Sequence, residues 1–400
     1  MPTLHLHRGK DRAVAGGYPW VFANQLARVE GAPARGDVAR VVAADGTVLG
    51  QALYHEHSLI AGRFVTRDGE RAVDEGLWRA RIAAAVARRE AAYPEATHAR
   101  LVFGESDGLP GTLVDRYGPP GYQGGVLTFT TLAWGMEQRR DVLLDLLEER
   151  LRPDAIVERN DAPLRAKDGL EERTGVLRGT LPERLQIEEH GVRYEVDALH
   201  GPKTGFFIDQ RENRAAVARF ARGRRVLDVF CADGGFGLSA LRAGAASAHF
   251  LDVSGPALER VRANAEANGL ENASFERADA LDRMGVLAEE ARGRFDLVVL
   301  DPPGFARSRR DVEAATRAYQ RLNISALQLL EPGGLLATAS CSQAIAEEDF
   351  LKIVHYSARR AGVRLRRLVR GGHPPDHPTL EAMPETRYLK FYLFEVMGDE

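Results

Sequence analysis

Cys341 stands in "TASCSQ", directly after the apolar segment "GLLATAS", and Asp301 stands in "DLVVLDPPGF", at the end of another apolar segment. An isolated cysteine after such a run is commonly a small buried hydrophobe. At the carboxyl edge of an open α/β sheet, where ligands bind, it becomes a candidate nucleophile. If the two strands are neighbours, their ends lie about 5 Å apart and Cys341 faces Asp301 across one pocket. That pairing suits methylation at carbon 5 of a pyrimidine. Carbon 5 is a poor nucleophile, so a thiolate adds first at carbon 6, and the enamine so formed attacks a sulfonium methyl group. Asp301 would protonate or hydrogen-bond the cytosine ring during the addition. A free thiol, with a pKa of about 8.5, is mostly protonated at neutral pH, so the site or the substrate must assist. Cys341 and Asp301 are the catalytic candidates of this reading.

A second chemistry uses Asp301-Pro302-Pro303 without the thiol. It resembles the Asp/Asn-Pro-Pro-aromatic pattern of amino-group methyltransferases, whose aromatic stacks on the target base. Here Gly304 takes the aromatic position and Phe305 follows one later. An exocyclic-amine methyltransferase is therefore the alternative enzyme.

Upstream, "VLDVFCADGGFGLSA" runs from a strand through a glycine turn into a helix. Gly234, Gly235 and Gly237 let the backbone approach a ligand closely. Gly235-Phe236-Gly237 through Ala240 also fits a dinucleotide fingerprint, and Asp252 ends the next strand where a ribose-binding carboxylate belongs, so an NAD-dependent oxidoreductase is considered. Two features favour S-adenosylmethionine. Asp228 lies within the first strand, where its charge suits a cationic ligand and repels a pyrophosphate. Asp279, in "ERADAL", is expected to end a third strand and accept a hydrogen bond from an adenine amino group. Cys231, inside the turn, is expected to pack or to contact the cofactor. Pro302 belongs with Asp301 at the same edge.

These residues need a doubly wound sheet to position them. From "RRVLDVF" onwards, apolar strands alternate with helices of ten or more residues, the pattern of βαβ units and a parallel sheet. The first 75 or so residues instead read as short strands between Gly, Asp and Pro turns, a small β-barrel, with Asp45-Gly46 in "VVAADGTVLGQA" marking a hairpin. A helix follows, with Leu77, Ile82 and Val86 on one face. "WGMEQRRDVLLDLLEERL" reads as one further helix, and "IEEHGVRYEVD" as a hairpin turning at His190. The expected segments are 1–75, a β-barrel; 76–190, an α+β middle; and 191–400, the α/β domain.

The chain has 400 residues, 44% hydrophobic and 28% charged, with a net charge of −3. The balance does not advertise nucleic-acid binding, yet a basic groove can sit inside a balanced total. No run of 18 apolar residues occurs, and "MPTLHLHRGKDR" lacks the apolar core of a secretory signal, so a cytoplasmic location and no membrane partner are expected. The two cysteines are then expected as free thiols. His373 and His377 in "HPPDHP" have H-x3-H spacing on a proline-rich loop without other ligand types, and no metal is expected.

Taken in order, "YPWVFANQLARVEG", "GESDGLPGTLVDRYG", "IEEHGVRYEVD", "GPKTGFFIDQRENR", "VLDVFCADGGFG", "DPPGF", "TASCS" and "DHPTLEAMPETRYLK" resemble the bacterial PUA-domain 23S rRNA (cytosine-5-)-methyltransferases of the RlmI type. The resemblance runs along nearly the whole chain. It implies an N-terminal PUA-like barrel that grips RNA, a linking middle domain and a Rossmann-like class I methyltransferase domain. It also implies S-adenosylmethionine as donor, Cys341 as nucleophile, and Lys203, Phe207, Asp209 and Arg211 near the cofactor or the target base. Pro303 and Phe305 join the substrate side. The partner expected is 23S ribosomal RNA or a large-subunit assembly particle, and a homodimer is allowed for. Two departures stand out: "FCADGGFG" replaces a more usual Ser/Tyr/Thr version of the turn, and Gly304 stands where the family usually has Lys. A fold that binds RNA without catalysis is the competing class.

Overall fold

The computed structural model describes residues 1–306 and 308–398. The chain divides into two compact units. One comprises Met1–Ile187, Val196–Ile208 and Pro375–Thr386; the other comprises Glu188–Glu195, Asp209–Pro374 and Arg387–Glu400. This grouping differs from the expected segments 1–75, 76–190 and 191–400. At the first boundary the reason is packing: Leu53 and Val65 from the N-terminal strands lie in one core with Leu77, Trp78, Ile82 and Val86 of the helix that follows.

In the first unit, a six-stranded sheet has the order Trp20–Phe22, Ile60–Thr66, Val48–Tyr54, Val38–Val42, Thr3–Leu6, Leu26–Glu30. Leu4, Leu6, Val14, Val21, Val41 and Phe64 form its core. The expected hairpin is present: Val42 pairs with Val48, and Gly46, at φ +94°, makes the turn. Asp74 caps the helix Glu75–Ala92 by accepting a hydrogen bond from the Leu77 amide at 3.1 Å. A five-stranded sheet of 98–103, 112–117, 126–131, 155–160 and 173–179 follows. The single helix expected over "WGMEQRRDVLLDLLEERL" is two, Trp134–Glu137 and Arg140–Leu151. Arg139, at φ −101° and ψ 8°, leaves helical geometry between them.

The second unit holds a seven-stranded sheet of β1 (Arg225–Val229), β2 (Ser247–Asp252), β3 (Ala273–Arg277), β4 (Leu297–Leu300), β5 (Leu335–Ser340), β6 (Arg364–Gly371) and β7 (Lys390–Met397). Its order is β3-β2-β1-β4-β5-β7-β6. The helices are α1 (Arg211–Arg219), α2 (Gly235–Arg242), α3 (Gly255–Ala267), α4 (Ala280–Glu290), α5 (Val312–Leu329) and α6 (Glu347–Ala361). β1 to β5 are parallel, as the alternation of strand and helix requires. β7 departs from that pattern: no helix of ordinary length separates β6 from β7, and β7 inserts antiparallel between β5 and β6. Strand order reverses between β1 and β4, so the turns after these two strands flank the switch point where open α/β sheets bind ligands.

Candidate active site

The turn after β1 is built from buried strand and strained backbone. Asp228 is 1% exposed; its Oδ2 accepts a hydrogen bond from the Gly237 amide at 2.8 Å, and its Oδ1 is buried with no hydrogen-bond partner. Burial pushes this carboxyl up to about 8, with Asp301 and Asp252 adding to the rise and the Gly237 amide opposing it. Phe230 and Ala232 take left-handed φ of +61° and +50°, a conformation costly for side-chain-bearing residues and concentrated at functional sites. The glycines answer to protein neighbours as well as to a ligand. A Cβ on Gly237 would lie 2.3 Å from the Phe250 ring, and one on Gly235 would lie 2.7 Å from Cδ of Arg214.

Asp252 ends β2 and accepts from the amides of Ala232 at 3.1 Å and Ser254 at 2.9 Å, tying the β1 turn to the β2 end. Asp279, expected to end β3, lies past the strand's last residue, Arg277. It is exposed, two residues beyond the strand, and caps α4 through the Leu281 amide at 2.8 Å. Ala278, beside it, donates to the Asp252 carbonyl at 3.1 Å, which keeps the two acids at adjacent strand ends. Phe236 is buried and stacks on Phe391 of β7, centroids 6.0 Å apart. Cys231 is buried, and burial together with Asp228 and Asp252 holds its thiol well above the ordinary range.

At the reacting end β4 and β5 are neighbours, with Leu300 opposite Thr338. Cys341 is half-buried directly after β5, its Sγ 4.0 Å from the Pro302 carbonyl oxygen. Asp301 is half-buried, Pro302 buried and Pro303 exposed. The Ser342 hydroxyl holds the two loops together: it accepts from the Ala306 amide at 3.1 Å and shares a 3.0 Å hydrogen bond with the Tyr319 hydroxyl of α5. Phe305 packs edge-on against Tyr319, centroids 5.0 Å apart, so its ring belongs to this support. Lys390, the first residue of β7, lies opposite Ser340 of β5 and donates to the carbonyls of Ser342 at 2.7 Å and Tyr388 at 2.8 Å. Burial brings its ammonium down to about 8, with Cys341 and Glu347 opposing.

The segment "GPKTGFFIDQRENR" divides between the units. In the first, Lys203, at φ +54°, sets its ammonium 4.7 Å from the centre of the Phe207 ring. The buried Arg159 shapes the preceding loop by donating to the carbonyls of Ala198, Gly201 and Lys203. In the second, Asp209 is buried and accepts from the Tyr388 hydroxyl at 2.7 Å. Arg211 is buried 3.6 Å from Glu189, which also binds Arg214 at 2.5 and 2.9 Å. The side chains of Asp209 and Arg211 therefore brace the fold beside the site. Both cysteines are free thiols. His373 accepts from the Leu389 amide at 3.2 Å, whereas the buried His377 pairs with Asp376 at 2.8 Å; His190, at φ +51°, is the turn residue expected.

Sequence reasoning missed Ser342, Tyr319 and Lys390. Ser342 and Lys390 were visible as neighbours of Cys341 and as the end of "ETRYLK", but nothing in their spacing announces the pairing of β5 with β7.

The S-adenosylmethionine-dependent methyltransferase family Methyltrans_SAM matches residues 125–394, and a PUA-like domain, PUA_3, matches residues 4–67. The ribosomal RNA large subunit methyltransferase I of Shewanella amazonensis is 41% identical over 392 residues, 97% of each chain. The chain belongs to the ribosomal RNA large subunit methyltransferase I family. The protein of that name from Photobacterium profundum is 39% identical, covering 97% of this chain and 98% of its own. An S-adenosylmethionine-dependent methyltransferase structure from Streptococcus mutans shares the fold at TM-score 0.82 and 20% identity, over 99% of this chain and all of its own. SMU.776, solved with SAH, shares it at TM-score 0.83.

The cofactor of this methyltransferase is S-adenosylmethionine, and the residues at the β1 turn fit it. A buried carboxylate oxygen without a partner suits a cationic ligand. No helix among the described residues is long and apolar enough to cross a membrane.

Proposed function

We propose that this protein methylates carbon 5 of a cytosine in 23S ribosomal RNA, acting in the cytoplasm on the RNA or on a large-subunit assembly particle. The observation that carries the reading is the half-buried Cys341, one strand over from Asp301 with its sulfur 4.0 Å from the Pro302 carbonyl. Residues 1–75 would grip RNA, 76–190 link, and 191–400 catalyse. Asp228, Asp252, Asp279, Asp301 and Pro302, with the backbone of Cys231, Gly234, Gly235 and Phe236, would hold S-adenosylmethionine, which supplies a methyl group on a sulfonium. Lys203 and Phe207 in the first unit and Pro303 in the second would each meet the RNA, while Asp209, Arg211 and Phe305 brace the second unit.

Carbon 5 is out of reach inside a stacked helix, so the target base turns out into the pocket. The Cys341 thiolate adds at carbon 6 as Asp301 hydrogen-bonds the ring, and carbon 5 gains the nucleophilic character it lacks. After carbon 5 has taken the methyl group, loss of its proton and expulsion of the Cys341 thiolate restore the aromatic ring.

The test is Cys341→Ala, which should abolish methyl transfer and keep S-adenosylhomocysteine binding, measured as a rise in melting temperature. Wild-type enzyme should also form a denaturant-stable adduct with RNA carrying 5-fluorocytosine, because the fluorine cannot leave as a proton does. Full activity in Cys341→Ala would instead assign the exocyclic-amine reaction to Asp301-Pro302-Pro303.

A further inference from the structure

Between residues 350 and 375 the chain carries seven cations, Lys352, Arg359, Arg360, Arg364, Arg366, Arg367 and Arg370, and no carboxylate. Without these seven positive charges the total of −3 becomes −10, so positive charge is concentrated here. The fold gathers the segment on one rim of the second unit. α6 ends at Ala361, Gly362 at φ +72° turns the chain, and β6 starts at Arg364 as the edge strand of the sheet. Ile353 and Val354 of α6 are buried with Tyr392 and Phe394 of β7, and Leu365 of β6 packs against them. The opposite face of the helix is left to solvent.

Beyond the first turn of α6 the exposed positions are Lys352, His355, Tyr356, Arg359 and Arg360. Tyr356 is 46% exposed, and Lys352, Arg359 and Arg360 stand three or four residues from it, the spacing that shares a helix face. On β6 every exposed position is an arginine: 364, 366, 367 and 370. Asp349 accepts from Lys352 at 2.8 Å, Glu395 from Arg366 at 2.9 Å and Glu347 from Arg370 at 2.8 Å, all three acids lying outside the segment. Arg359, Arg360 and Arg367 extend the same rim. The register ties the rim to the reacting edge: Arg370 and Gly371 pair with Tyr392 and Phe391, which pair in turn with Thr338 and Ala339 of β5. From that level the arginines of β6 run back about 20 Å, two strand spacings, roughly 10 Å, from the strand that leads to Cys341.

Two structural roles account for parts of this rim. Cations in the last turn of α6 offset the negative end of the helix, and arginines on an edge strand keep it from pairing with another sheet. Neither role calls for an exposed tyrosine among the cations. Guanidinium groups bind phosphate and stack on bases, and exposed aromatic rings stack on unpaired bases. We propose that the outer face of α6 and the edge strand β6 form a docking surface for a single-stranded segment of the substrate RNA, its phosphates on the arginines and one base on Tyr356. The role rests on the reading of RNA as substrate. It gives the catalytic unit an RNA contact of its own, distinct from the strands of residues 1–75, and leads the bound strand away from the reacting edge.

The experiment measures binding of a 23S ribosomal RNA transcript to the full-length protein by filter retention as salt rises, with heparin, a polyanion without bases, as a second probe. Replacing Arg359, Arg360 and Arg367 together by Gln should lower the slope of log affinity against log salt by about two, the value for three phosphates of a single strand. Binding of the transcript should weaken by roughly ten- to a hundredfold at low salt. Tyr356→Ala should weaken the transcript at least about fivefold and leave heparin unchanged. The rise in melting temperature with S-adenosylhomocysteine should stay as in the wild type. Should the triple variant fail to fold, Arg359→Gln with Arg360→Gln, on the solvent face of α6, decides in its place. An unchanged slope overturns the proposal: with new self-association the arginines guard the edge, and without it the rim fits an acidic protein. Tyr356→Ala binding the transcript as the wild type does removes the base contact. Methyl transfer to 23S RNA with an unchanged slope removes only the rim, whereas a wild type that binds neither the transcript nor isolated large subunits removes the RNA reading as well.

Discussion

Cys231 lies two residues beyond β1 and Cys341 one residue beyond β5, both at the carboxyl edge of the same sheet. Around Cys231 the chain gathers Asp228 and Asp252 and closes out water, so the thiol keeps its proton. Around Cys341 it leaves the residue half-buried, and the amine of Lys390 binds the carbonyl of the next residue, Ser342. The same residue type is shut in where carboxylates and burial meet it, and reachable where the strand end opens. The carboxylates that raise the Cys231 thiol also form the end of the edge suited to a cationic ligand.

The sharpest break of this contrast exchanges the two thiols' fates. Cys341→Ala should take methyl transfer below detection, while Cys231→Ala should leave turnover measurable, and comparable losses in both would erase the distinction. Next in size is Asp228→Asn, which should weaken S-adenosylhomocysteine by ten- to a hundredfold, about 1.4–2.7 kcal/mol, read by calorimetry. The same substitution carries a pH signature. Asp228 sits raised from 3.8 to about 8, so the folded state holds its proton more tightly than the unfolded chain. Its unfavourable contribution is absent below about 3.8, grows as pH rises, and is complete above about 8. Asp228→Asn should therefore gain melting temperature over wild type progressively between pH 5 and 8, and a constant difference would refute the assigned burial.

A smaller effect is expected at the loop clamp. Ser342→Ala removes the acceptor of the Ala306 amide and one of the partners of Tyr319, at a cost of about 1–3 kcal/mol in denaturant unfolding. It should lower kcat more than it changes cofactor affinity, because the β1 turn does not depend on it. The smallest is the stability cost of Cys231→Ala, about 1 kcal/mol for a small group lost from a packed site.

The β1 turn was legible because its determinants are local: strand, glycines and helix follow one another, and Asp228 reaches Gly237 nine residues away in the same motif. Asp279 was found for the right edge but assigned to a strand. In the fold it caps α4, since an Asp before an apolar helical run serves the first amides of the helix. Arg211 and Asp209 were placed near the substrate by resemblance. Their burial against Glu189 and Tyr388 could not be read, because those partners lie on other elements.

The sequence by itself determined the parallel strands β1 to β5, the glycine turn, the acids at the strand ends and the candidate thiol, because apolar periodicity and turn chemistry are written in neighbouring residues. Only the tertiary structure decided that Lys390 reaches the loop that carries Cys341, binding the Ser342 carbonyl. That meeting depends on β7 inserting antiparallel between β5 and β6, a pairing of residues about fifty positions apart that no local pattern encodes.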